Sequence, residues 1–361
     1  MIIVSPLLRL AAKIATIVIY LITILCCFGG AISPNLFALG SVAVLGMPIM
    51  LTISAIITVV WFCFGHWIIG GVGILMFICC SSPIKMWFPM NSPSEPDPGA
   101  PMLKILTWNI QHGADYQNPE TTEAHTLSAI LDIDADIVCL QEICGFTPQT
   151  LTHFSQTAVD SLFAKYPYRL GTENNDLKIL SKYPLRHVYF GTLNHYVLAE
   201  NFIVKTPARE IAMANVHLPS FLLDAEERTI LSVKNINKEE KERLGMSVIR
   251  KMKKVFPNRA EAAEKVINGF DGLSMPTIIV GDFNDVPASW TYRLFLKDGF
   301  QDAYVATNFF PTHTYYPNHM YFHLDQVFYR GGVRPLSVDK LNIPTSDHLP
   351  LLATFQILQG Y

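Results

Sequence analysis

Between Lys13 and Lys85 the chain carries no Asp, Glu, Lys or Arg. A stretch of that length has no polar face with which to cover a water-soluble layer. In lipid, backbone N–H and C=O groups must be satisfied internally, which leaves helices or closed barrels. Unbroken apolar runs, without strand-like alternation, select helices. Ile14–Ala31 is one such run; Leu36–Ser82 is a second, interrupted only by small or weakly polar residues such as Gly46, Pro48, Gly65 and His66. A crossing needs roughly 20 residues. The first run supplies one crossing and the second supplies two, with a tight turn near Phe64-Gly65-His66. The reading is three helices, at roughly 11–31, 37–62 and 67–84, within a transmembrane region spanning 1–88.

A cleaved signal peptide does not fit, because the apolar stretch runs far past a normal signal core. Gly70-Gly71-Val72-Gly73 lies inside a span with no preceding strand and no Lys-Ser/Thr, so helix packing explains it better than a nucleotide loop. Arg9 and Lys13 favour a cytoplasmic N-terminus. Three crossings then place the rest of the chain outside the cytoplasm. Lys85 pulls the other way, and two crossings would return it. With no charged residue inside the spans, a transporter role has little to work with.

Past Trp87 the composition changes. Residues 89–101 hold five prolines with Ser and Gly, which reads as a linker. Residues 95–361 contain 24 Lys and Arg against 30 Asp and Glu, a net charge of −6. The span 102–361 is therefore an ordinary, slightly acidic globular domain, large enough to bury a core. Its acidity argues against a protein that grips duplex nucleic acid through the phosphates, although a bound divalent cation offsets carboxylates locally. Neither Cys139 nor Cys144 has a partner spacing for zinc or a disulfide framework.

Strand candidates run through this domain at 103–108, 137–140, 178–180, 188–190, 201–205, 211–216, 277–280, 324–329 and 351–357, with few helices between them. That order argues for an α+β sandwich over strict alternation. Residues 236–256 read as a helix with Leu244, Val248, Met252 and Phe256 on one stripe and a Lys-rich end. It is either a surface helix or a basic element that touches anionic lipid or gates a site.

The polar residues at the strand ends carry the chemistry. They are Asn109 in Thr-Trp-Asn, Glu142 in Gln-Glu, His217 in Val-His-Leu, Asp282 and Asn284 in Gly-Asp-Phe-Asn, Asp325 in Leu-Asp-Gln-Val-Phe, and Asp347-His348. Hydrolysis of a phosphate ester needs a divalent metal, an aligned water and groups that meet developing charge. Mg²⁺ prefers carboxylate and water oxygens. Glu142 is the best single ligand, and Asn109 either completes the shell through its amide oxygen or orients a water. Asp282 and Asn284, two residues apart, share one face of an extended segment. Asp347 beside His348 offers an acid–imidazole pair for general-base work, and His217 closes a strand where it can donate to a phosphate oxygen.

In this order, with Leu180-Ser181-Lys182-Tyr183-Pro184 between them, the segments resemble the endonuclease/exonuclease/phosphatase (deoxyribonuclease I-like) superfamily over about 103–357. The resemblance implies a four-layer sandwich of two packed mixed β-sheets flanked by helices, here preceded by the transmembrane region. It implies Mg²⁺, or Mn²⁺, at Glu142 with Asn109 and Asp347 near it, and no organic cofactor. It further implies Asp325 behind His348, Asp282 and Asn284 positioning nucleophile and phosphate, and His217 as the phosphate-contacting His of the deoxyribonuclease and sphingomyelinase branches. Two departures stand out: Asn175-Asp176-Leu177 replaces the usual upstream Gly, and Ala262 stands where many relatives have Gln. The expectation is an integral-membrane, Mg²⁺-dependent phosphodiesterase facing away from the cytoplasm and acting on a lipid headgroup at the bilayer. A membrane-anchored nuclease is the alternative, and a non-catalytic scaffold a weaker one.

Overall fold

The computed structural model describes residues 6–111, 125–143, 155–171, 175–221, 227 and 237–358. Cys144 and parts of the segments 143–176 and 220–258 lie outside them.

Five helices precede the globular part: α1 (Pro6–Phe28), α2 (Ala38–Leu45), α3 (Met47–Cys63), α4 (Trp67–Cys79) and α5 (Ser81–Trp87). One segment, Pro6–Ala31, is by itself long and apolar enough to cross a membrane. The second and third expected spans are broken. α2 and α3 meet at 65°, and α4 and α5 at 64°. Proline explains both breaks: Pro48 and Pro83 stand in the first turns of α3 and α5, where they lack the N–H that would continue the preceding helix. The bundle is tied by hydroxyls, with Tyr20 and Thr58 at 2.8 Å and Thr23 and Ser54 at 2.7 Å. Gly73 packs where an added Cβ would meet the Tyr20 and Thr58 hydroxyls, so this glycine brings the helices together. Large apolar side chains such as Ile17, Leu21, Ile56, Val59 and Ile68 face outward.

Residues 89–101 contain no helix and lie on the globular part. Asn91 N donates to Asn308 O (2.8 Å), Ser94 N to Leu336 O (2.9 Å), and Asp97 accepts from Gln356 and Arg334.

The globular part is α+β, built on two six-stranded mixed sheets. The first has the order β11 (Val333–Lys340), β12 (Leu351–Ile357), β1 (Met102–Asn109), β2 (Ile137–Gln141), β4 (Lys178–Ser181), β3 (Tyr168–Leu170). The second runs β5 (Leu185–Leu193), β6 (Tyr196–Lys205), β7 (Glu210–His217), β8 (Thr277–Asp282), β10 (Asp325–Arg330), β9 (Gln301–Asp302). Side chains alternate faces along a strand, and here both faces are used. Leu103, Ile105, Ile137 and Cys139 face Phe202, Met213, Ile278 and Val280 between the sheets. On β1 and β2 the other parity, Leu106, Trp108, Val138 and Leu140, meets α6 (His125–Ile133) and α7 (Gln156–Lys165). On the far side Ala214, Ile279 and Phe328 pack under α8 (Lys238–Asn268) and α9 (Trp290–Lys297). A short helix, α10 (Ala303–Thr307), completes the set. The expected charged helix at 236–256 is longer than that reading: α8 continues through Pro257 to Asn268.

Polar residues are also buried between the sheets. Gln141 Nε2 donates to Asn215 Oδ1 (2.6 Å), and Asn215 Nδ2 returns a bond to Leu140 O (2.9 Å), which clamps one sheet to the other. Beside Asn215 in register, Glu200 is buried, and its Oε2 has no hydrogen-bond partner among the described residues. Burial pushes its carboxyl from 4.5 up to about 7, with Lys178 acting in the opposite sense. His187 Nδ1 lies 3.4 Å from the other oxygen. The folded value is raised, so the folded state holds a proton that the unfolded chain has released. Stability therefore falls as pH rises from about 4.5 to about 7, by about 3 kcal/mol at ~1.4 kcal/mol per unit. Glu200→Gln is expected to raise the thermal unfolding temperature at pH 8 and leave it unchanged at pH 4.5. Equal temperatures for the two proteins at pH 8 would show that Glu200 is not strained.

Candidate active site

The strand pairing places the site. β1 and β2 run parallel and end together, with Asn109 beside Gln141; β7 and β8 also run parallel and end with His217 beside Asp282. β10 begins antiparallel to β8 with Asp325 opposite Asp282. Every strand-terminal residue singled out in the sequence is thus delivered to one edge of the sandwich. Gly281 allows the close approach of β7 and β8: its φ is +142°, and an added Cβ would sit 2.0 Å from Val216 O.

Asp282 lies at the centre, almost fully buried. It accepts from Asn284 N (2.8 Å), Asn284 Nδ2 (3.2 Å) and Asn109 Nδ2 (3.1 Å). Asn109 Nδ2 also reaches Glu142 Oε1 at 3.0 Å, so one amide bridges two carboxylates. Glu142 follows β2 in the left-handed region (φ 56°), which turns its carboxylate into the site; the side chain is 30% exposed. Asn284, also left-handed, is anchored by Nδ2 to Leu218 O at 2.9 Å.

Two imidazoles flank Asp282. His348 Nε2 is 3.7 Å and His217 Nε2 3.9 Å from Asp282 Oδ2. Each is held from behind by an acid. His348 Nδ1 pairs with Asp325 Oδ2 at 2.8 Å, and His217 Nδ1 with Asp176 Oδ2 at 2.7 Å. The partner of His348 is therefore Asp325 and not its chain neighbour Asp347. Asp347, in the bend before His348, instead receives Ser346 Oγ at 3.4 Å, while that hydroxyl donates to Asn109 O at 2.6 Å. His217 Nε2 also lies 3.6 Å from Glu142 Oε1.

The electrostatics follow from this packing. Burial opposes the charge on His348, but Asp325 and Asp282 outweigh it and hold the imidazole up at about 10. Burial likewise opposes charge on His217, and Asp176, Asp282 and Glu142 raise it to about 9. Asp282 itself is pushed up, first by burial, with His348 pulling it back. Both imidazoles are cationic at neutral pH, set among Glu142, Asp176, Asp282, Asp325 and Asp347.

Among the described residues, Asp282, Asp325 and His348 form the one group of three side chains whose carboxylate or imidazole atoms all lie within 4.8 Å of one another. That group already contains a cation, the imidazolium. The acids still outnumber the imidazoles, and Asp325 Oδ1 is buried without a partner among the described residues. Glu142 and Asp347 supply the hard carboxylate oxygens that suit Mg²⁺ or Mn²⁺, and Asn109 stands beside them with Nδ2 on Glu142 and Oδ1 accepting from Gln111 N at 3.1 Å.

Sequence reasoning placed Asp176 as a departure from the usual Gly that, with Asn175, is able to line the cleft. The structure makes it the acid behind His217; its signal was a carboxylate just ahead of a buried strand. The aromatic segment 309–321 divides. The Tyr315 ring packs edge-on against His348 at 5.1 Å and Tyr316 OH donates to Ser346 O at 2.6 Å. Phe309, Phe310 and Tyr321 remain exposed. Arg259 was not read as a site residue. It is fully buried, donates from Nε to Pro219 O (3.0 Å), and lies 3.5 Å from Asp285, behind the Asp282–Asn284 turn.

This geometry has a known setting. The chain belongs to the Endonuclease/Exonuclease/phosphatase family, whose sequence profile matches residues 106–348. Its fold is that of the phosphoesterases and nucleases of this family, whose members generally use divalent metals. Among solved structures it is similar to an endonuclease/exonuclease/phosphatase from Beutenbergia cavernae DSM 12333, at 15% identity, 71% of this chain and 72% of that one, with a TM-score of 0.47. It is similar to the human Nocturnin catalytic domain with bound sulfate (18%, 72% and 95%, 0.45) and to truncated Caenorhabditis elegans TDP2 (18%, 71% and 97%, 0.44). No curated protein sequence matches the chain.

Proposed function

We propose that this protein is a membrane-anchored, divalent-metal-dependent phosphodiesterase that hydrolyses a lipid headgroup ester at the bilayer surface. One observation carries the reading: the apolar helices pack directly on the loops that hold the site. Val286 and Ala288, just past Asn284, share an apolar cluster with Cys27, Val44, Met47, Met76 and Trp87, and Phe322 and Leu324, just before Asp325, join it. Arg293 Nη2 donates to Cys27 O at 3.3 Å. A site fixed to the membrane end of its domain meets esters at the lipid surface before it meets soluble ones.

The C-terminal end of α1 and the helical turn at 29–31 abut α9, so Arg9 and Lys13 lie at the far end of the bundle from the catalytic part. Cytoplasmic placement of those cations sets the catalytic part on the opposite side. In this reading Glu142 and Asp347, beside Asn109, hold the Mg²⁺ or Mn²⁺. When bound, the ion supplies Lewis-acid polarisation of the phosphoryl oxygens. Asp282 orients the attacking water, with Asn284 and Asn109 fixing its carboxylate. His217 and His348, held cationic by Asp176 and Asp325, donate to the phosphoryl oxygens as charge develops.

The test is hydrolysis by purified protein in detergent, with sphingomyelin and glycerophospholipids compared against single- and double-stranded DNA. Turnover of lipid is expected, abolished by EDTA and restored by Mg²⁺ or Mn²⁺. Turnover of DNA alone would replace this reading with that of an anchored nuclease, and EDTA-resistant turnover would remove the metal from it.

A further inference from the structure

The basic stretch of α8 lies along the helix that joins the membrane bundle to the catalytic part. Val248, Met252 and Phe256 pack against Val42 and Leu45 of α2 and against Phe221. From Arg243 to Asn258 the helix contains Arg243, Arg250, Lys251, Lys253 and Lys254 and no acid, in a domain that is otherwise net acidic. Lys251 is engaged by the buried Glu227. Arg250, Lys253 and Lys254 are exposed, and three- and four-residue spacing puts them on one face. Across the contact, the chain around α2 is apolar and outward-facing: Leu36 is 84% and Leu39 52% exposed, and Leu39 lies one turn from Val42. A row of cations thus borders a strongly apolar surface, the arrangement an interfacial helix presents where acyl chains give way to headgroups.

We infer that the Arg250–Lys253–Lys254 face of α8 binds anionic phospholipid headgroups of the leaflet in which α2 sits. The inference rests on the membrane reading given above. It commits to lipid because the cations adjoin the apolar helices, and it gives α8 the task of holding the catalytic part at a set height and tilt.

The test uses the full-length protein in nanodiscs of phosphatidylcholine, with or without phosphatidylserine. Modification of Lys253 and Lys254 by an amine-reactive reagent, followed by mass spectrometry, is expected to slow roughly fivefold or more when phosphatidylserine is present. High salt should abolish the protection, and Lys104 and Lys205 should be indifferent. Independently, native mass spectrometry should show K253E/K254E retaining phosphatidylserine on the order of thirtyfold less well, at roughly fivefold per cation, with K104E/K205E like the parent. Equal labelling in the two discs, with the protein in both, overturns this inference alone. Failure to co-elute with either disc overturns the membrane reading and this inference with it. Protection by an oligonucleotide in discs of phosphatidylcholine, without protection by phosphatidylserine, assigns the face to nucleic acid and overturns it as well.

Discussion

Replacing His348 with alanine is expected to lower kcat by about 10²- to 10⁴-fold, the usual contribution of a positioned proton donor, with KM little changed. The imidazole is buried, and its Nδ1 is held by Asp325 at 2.8 Å. That bond leaves Nε2, 3.7 Å from Asp282, as the nitrogen directed at the reacting groups. Its removal leaves the scaffold standing, because the residue's structural bonds are made by its backbone. Trp108 Nε1 donates to His348 O at 3.0 Å, and His348 N donates to Ser346 Oγ at 3.2 Å. Asp325→Asn should fall in the same direction by less, since the amide can still hold the ring while it no longer stabilises the imidazolium. Steady-state kinetics on the preferred ester decides it. A loss below tenfold for His348→Ala, in a protein that unfolds at the parent's temperature, would remove His348 from the chemistry.

The sequence made the site more legible than its surroundings, for a physical reason. Asn109, Glu142, His217, Asp282 and Asp325 each sit at or next to the end of a buried strand, where a polar residue interrupts an apolar run, and strand order alone brings such ends to one edge. The pairing of Asp176 with His217 escaped because the turn before β4 gives no periodic signal. For His348 the residues alone pointed to its neighbour Asp347, since adjacency along a chain does not say which side chains meet, whereas the resemblance implied Asp325, whose Oδ2 lies 2.8 Å from Nδ1. β11 was missed: its burial alternates imperfectly, and the ladder shifts register between Pro335 and Ser337. In the apolar region, hydropathy set where helices occur and missed the breaks, since Pro48 and Pro83 change hydrogen bonding far more than hydropathy. Those breaks turn α2 and α5 away from the spans at the end of the bundle that meets the catalytic part, and α2 is then free to pack on α8.

Gly30→Val is expected to lower lipid turnover by about 10²-fold, the cost of displacing a site by roughly an ångström, without any contact to the reacting groups. A Cβ at Gly30 would lie 2.1 Å from Ala288 O and 2.9 Å from the Ser289 backbone. Both neighbours are main chain at the start of α9, so neither can swing aside as a side chain would. Nor is the segment loose: Arg293 ties it from both directions, Nε to Ala288 O at 2.9 Å and Nη2 to Cys27 O at 3.3 Å. Valine must therefore part the apolar helices from the segment that follows Asn284, and the Asp282–Asn284 turn moves with it. Gly71→Val is the matched control, because nothing lies within 4 Å of its Cβ and the side chain enters open space. Lipid turnover and hydrolysis of a small soluble diester are measured for both variants in the same bilayer. A lipid-specific loss in Gly30→Val would mean that docking sets where the site meets the membrane. A loss on both substrates would mean that docking shapes the catalytic turn itself. Activity equal to that of Gly71→Val would break the link between the helices and the site.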